Sequence, residues 1–95
     1  MNDKKLKQNF SELASVLAKI DTSEDIYAFM RDLCTVGEME EFLLRWEIAK
    51  ALHLWESYLS IQWRTWASST TVARVAKYLQ WDGGGYKKVL TSLSL

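Results

Sequence analysis

Proline is missing from this 95-residue chain, and glycine occurs only four times. No segment alternates apolar and polar residues long enough to make a strand, so all-α is the only fold class that fits. Cysteine is nearly absent as well: Cys34 stands alone and excludes an internal disulfide, and with His53 the sole histidine no metal-ligand set can be assembled. Net charge is also lacking, because twelve Lys and Arg balance twelve Asp and Glu. Nothing at the whole-chain level therefore draws the protein toward DNA or an anionic membrane. The amino-terminal MNDKKLKQNF has no apolar signal core, and no apolar run approaches the roughly 18 residues of a membrane span. A soluble, cytoplasmic, metal-free and cofactor-free protein without a membrane partner is expected. Catalysis is not: no Ser/His/Asp set or phosphate loop is present, and Glu38, Glu40 and Glu41 suit the dipole at the start of a helix better than a paired-acid site.

What is present is helical periodicity. Leu6, Phe10, Leu13, Val16 or Leu17, and Ile20 recur every three or four positions, predicting a first amphipathic helix over about 4–20. Asp21 or Thr22 caps a second, with Ile26, Tyr27, Phe29, Met30 and Leu33 as its apolar face and an end near Cys34. Thr35 and Glu38 form a capping-box pattern ahead of a third helix over about 36–54. That helix carries two stripes, Met39, Phe42, Leu43, Trp46, Ala49 and Leu44, Ile48, Ala51, Leu52, Trp55. A helix apolar on two sides is central to its fold, and in so short a chain it suits a place between two subunits.

A short fourth helix from the Ser57 cap to about Thr65 and a fifth from the Ser68 cap to about Gln80 follow. Ile61, Ala67, Val72 and Val75 are apolar where a helix-turn-helix packs its two helices, which places that motif at about 57–80 of a single domain spanning 1–95. The run from Asp82 to Gly85 is expected to end the fifth helix through left-handed glycine conformations. Tyr86 to Leu95 makes a last short helix.

RDLCT (31–35), LLRWEIAKAL (43–52), SSTTVARVAKYL (68–79) and GGYKKVL (84–90) resemble the Trp-repressor-like family, in particular its YerC/YecD branch, over nearly the whole chain. The resemblance implies six helices in an intertwined homodimer whose fourth and fifth helices project as a DNA reader. It assigns Ser69, Thr70, Thr71, Arg74 and Lys77 to the DNA-facing side of the fifth helix, where hydroxyls and cations suit phosphates and base edges. Arg45 and Arg74 are similar to the two arginines that cradle tryptophan in corepressor-binding members. Those members have glycine after the second arginine, whereas Val75 stands here, so no tryptophan corepressor is expected.

Two departures bear on function. The family carries glycine at position 66 and usually at position 55, and this chain carries tryptophan at both. Along the fourth helix Tyr58, Ile61 and Thr65 are expected to face the core, while Leu59, Trp63 and Trp66 share the other side. With Leu54 and Trp55 these predict a large exposed apolar patch suited to binding a protein. The expectation that follows is a deliberately redesigned scaffold whose head grips a protein target, as an inhibitor if the target surface is an enzyme cleft. The alternatives are that the tryptophans pack against the dimer or one another, or that the chain remains a sequence-specific DNA-binding regulator.

Overall fold

The computed structural model describes residues 1–81 and 83–95, and among them every regular element is a helix. The order is α1 (Asp3–Ala18), α2 (Ser23–Leu33), α3 (Val36–His53), α4 (Tyr58–Thr65), α5 (Ser69–Leu79) and α6 (Gly85–Ser92). The chain divides into two units, Met1–Val36 and Gly37–Leu95.

In the first unit α1 starts at Asn2, whose side-chain oxygen accepts the Lys5 amide at 2.8 Å. It ends at Ala18, two residues earlier than its periodicity suggests. There Lys19 and Ile20 donate three residues back, to Val16 and Leu17 at 3.1 and 3.2 Å, which tightens the last turn. Of the two candidate caps for α2, Thr22 serves, its hydroxyl accepting the Asp25 amide at 3.1 Å. Neither helix contains a buried residue.

The second unit holds the core. Ile48, Ala49 and Ala51 of α3, Ile61 of α4, Ala67 between helices, Val72 and Val75 of α5, and Leu90 of α6 form one buried cluster. Leu44, Trp46, Leu52, Leu79 and Tyr86 pack against it while half-buried. Ile48, Ile61, Val72 and Leu90 are fully enclosed, and burial of such a side chain stabilises by about 1.5–3 kcal/mol. The two stripes expected on α3 are thus covered unevenly: Phe42 and Leu43 are exposed, and Trp55 lies beyond the helix end.

The glycine run plays a different part from the one expected. Asp82 lies outside the described residues, and no described glycine has a positive φ. Gly84 instead answers a close backbone approach. A Cβ there would sit 2.9 Å from the Tyr78 carbonyl oxygen and 3.0 Å from that of Trp81, which accepts the Gly84 amide at 3.0 Å. No helix among the described residues is long and apolar enough to cross a membrane.

Candidate nucleic-acid interface

The pair α4 and α5 forms a helix-turn-helix because its caps and its apolar frame agree. Ser57 accepts the Ser60 amide at 3.1 Å and Ser68 accepts the Thr71 amide at 3.1 Å, so each helix has a side-chain cap at its start. Between them Thr65 donates its hydroxyl to the Ile61 carbonyl at 2.7 Å and accepts the Ala67 amide at 3.3 Å, which ties the turn to α4. Ile61, Ala67, Val72 and Val75 are all buried, as the spacing implies. Tyr58, expected beside them, is exposed.

With Val72, Val75 and Ala76 turned inward, the opposite side of α5 presents Ser69, Thr70, Arg74 and Lys77, all exposed. Thr70, Arg74 and Lys77 follow at i, i+4 and i+7 and so share one face. Thr71 is half-buried, and its hydroxyl is 2.9 Å from that of Ser68, so it belongs to the cap as much as to the outer face. The first turn of α5 carries no acid, which leaves the positive end of its dipole open to an anion. Among the described residues, neither Arg74 nor Lys77 is held in a salt bridge, whereas Arg45, Lys50 and Arg64 each are. The uncommitted cations of the head therefore lie on the outer face of α5.

A cavity of about 220 Å³ opens beside this face, bordered by Glu41, Arg45, Arg74, Val75, Tyr78 and Tyr86 among others. It brings together the two arginines singled out from the sequence. Val75 stands in its wall at 2% exposure, and Glu41 lies 3.4 Å from Arg45. A branched side chain narrows the space an indole would need, and the carboxylate competes for the arginine that an amino-acid carboxylate would use. These residues do not fit a tryptophan ligand.

The five residues expected to form one apolar surface are all exposed, Trp55 at 93%, Trp66 at 88% and Trp63 at 74% with Leu54 and Leu59. Leu59, Trp63 and Trp66 border one shallow depression, while Trp55 borders another with Leu52, Tyr58, Leu79 and Lys87. The reason lies in the backbone. Trp55 adopts φ 67° and Trp66 φ 63°, and each closes a helix. At the end of α3 the Glu56 amide bonds the Ala51 carbonyl and the Trp55 amide that of Leu52, both at 3.0 Å, a Schellman arrangement. At the end of α4 a single bond from the Trp66 amide to the Gln62 carbonyl, 2.9 Å, makes the simpler left-handed cap.

One group in the head was not legible in the sequence. Arg64 of α4 donates from Nη1 to Glu47 Oε1 of α3 at 2.8 Å, from Nη2 to Glu56 Oε1 at 2.8 Å, and from Nε to Glu56 Oε2 at 3.2 Å. Ser60 adds a hydroxyl bond to Glu56 at 2.8 Å and Lys50 an ion pair to Glu47 at 3.0 Å. Hydrogen bonds from Arg64 foremost, then from Lys50 and Ser60 respectively, hold the carboxyls of Glu47 and Glu56 below their ordinary value of 4.5. The Arg64 guanidinium is pushed the other way by Glu56 and Glu47, further from any loss of its proton. The partners lie 17 and 8 positions from Arg64, outside the helical i+3 and i+4 spacings that a sequence pattern reveals. Only Glu47 with Lys50 and Glu56 with Ser60 carried a local signal.

Comparison with known proteins places this geometry. The profile of the family described as Trp repressor protein matches residues 8–94. The uncharacterized protein YerC of Bacillus subtilis (strain 168) is 30% identical over 88 residues, covering 93% of this chain and 85% of its own. A candidate Trp repressor from Staphylococcus aureus superposes with a TM-score of 0.87 at 30% identity, covering 99% of this chain and 95% of its own. A TrpR-like protein from Eubacterium eligens ATCC 27750 gives 0.85 at 31%, with 99% and 97% covered. These findings overturn the expectation of an engineered protein-binding module. The family profile spans the head, and full-length likeness at this level is that of an ordinary family member. The tryptophans that prompted the expectation occupy two helix ends and a helix side.

Proposed function

The chain belongs to the Trp repressor protein family, and from that premise we propose that it is a DNA-binding transcriptional regulator that reads sequence with α5. The family is one of regulators rather than of enzymes. The observation that carries the reading is the outer face of α5, where Ser69, Thr70, Arg74 and Lys77 stand exposed and the two cations have no acidic partner among the described residues. Ser69 and Thr70 at the helix start suit phosphate oxygens and base edges, while Arg74 can take a guanine edge in bidentate fashion or, like Lys77, a phosphate. In this reading the protein works inside the cell as a homodimer with two heads on one duplex, residues 1–95 act as one domain, and no tryptophan corepressor takes part.

Binding to duplexes selected from a random pool tests it. Affinity is expected to fall steeply with salt, and Arg74→Gln or Lys77→Gln each to reduce the slope of log affinity against log salt by about 0.9 where the lost contact is to phosphate. Relaxed preference at one base position on Arg74→Gln identifies that residue as a base reader. Absence of any salt-sensitive association with duplex DNA would sink the reading.

A further inference from the structure

Arg64 joins three consecutive segments of the head: α3 through Glu47, the connection after α3 through Glu56, and α4 on which it stands. The backbones of α4 and α5 run close together, and Ile61 of α4 is buried in one cluster with Val72 and Val75 of α5 as well as with Ile48, Ala49 and Ala51 of α3. The angle at which α4 leaves α3 is therefore inherited by α5. Apolar contacts resist separation but are indifferent to small rotations, whereas a planar guanidinium held at both edges by carboxylates has one preferred orientation.

We propose that Arg64 is the positioning residue of the reading head: forked onto Glu56 and joined to Glu47, it sets the tilt of α4, and with it α5, relative to α3. The proposal rests on the DNA-reading function above. It differs from a direct role on DNA, since two carboxylates already neutralise the Arg64 charge and leave it little attraction for phosphate.

The test uses the full chain and two duplexes, one selected by the unaltered protein from a random pool and one of scrambled sequence. Arg64→Gln is expected to weaken binding to the selected duplex by about tenfold, as loss of a coupling residue that touches neither site does. Binding to the scrambled duplex and the slope against salt should stay as they were. Glu47→Gln gives the sharper sign: removing a negative charge should tighten DNA binding on electrostatic grounds alone, and positioning requires it to weaken binding to the selected duplex. Arg64→Lys keeps the charge and remains informative if Arg64→Gln does not fold. A point charge cannot span two carboxylates as the fork does, so Lys is expected to fail on the selected duplex as well. Equal losses on both duplexes with a shallower salt slope, tighter binding by Glu47→Gln, or full rescue by Lys would each overturn the proposal. If the unaltered protein binds no DNA, the functional reading falls and this proposal with it. If it binds and the variants bind equally well, only the positioning role is lost.

Discussion

Trp66 sits in the one backbone region where a side chain is a burden. Its φ of 63° closes α4 correctly, with its amide on the Gln62 carbonyl, yet the residue is 88% exposed and recovers little by burial. A non-glycine residue in this conformation costs about 1–2 kcal/mol. Trp66→Gly should therefore raise stability by about 1 kcal/mol, a rise in Tm of about 4–8 °C for a domain of this size. Calorimetry that showed a lower Tm would mean that the ring makes a stabilising contact. Gly84 is the opposite case, a position with an ordinary φ where even a Cβ collides with backbone carbonyls. The left-handed turns at 55 and 66 could be anticipated because the resemblance to the family implies glycine there. Gly84 could not be understood from sequence, since the atoms that crowd it are carbonyls of Tyr78 and Trp81 brought round by the exit from α5.

Among the elements, α4 is the one whose placement depends on charge. The carboxyls of Glu47 and Glu56 bind protons less readily in the folded chain than their ordinary value of 4.5 implies. Depressed folded values contribute stability that is complete above about 4.5 and is lost as the pH falls through the lower folded value. Thermal unfolding followed from about pH 6 to about pH 3 should show the Tm gap between the unaltered protein and Arg64→Gln closing in acid. A gap that stays constant would assign the effect of Arg64 to packing rather than to its carboxylates. Helix limits and caps were legible at this scale because they are written locally: Thr22, Ser57 and Ser68 each bond an amide three residues on. The Arg64 cluster was not, for its partners approach only once α3 and α4 have turned against each other.

Taken whole, the chain leaves much apolar surface uncovered. No residue of α1 or α2 is buried, and Leu6, Phe10, Val16, Ile26 and Leu33 are all exposed, as are Phe42 and Leu43 of α3. Surface of this kind favours association with a second copy. Unfolding midpoints should then climb as protein concentration is raised over about a hundredfold, because association stabilises the folded state by mass action. Midpoints independent of concentration would describe a chain that stands alone. The fold was legible at this scale because the apolar spacing and the family's segments agree from the second helix to the last. Function is less legible, because two large side chains at helix ends stand out locally against a pattern that spans the chain. The left-handed caps at 55 and 66 also have a genetic side. The tryptophan codon TGG and the glycine codon GGG differ by a single base, so a glycine at either cap lies one mutational step away.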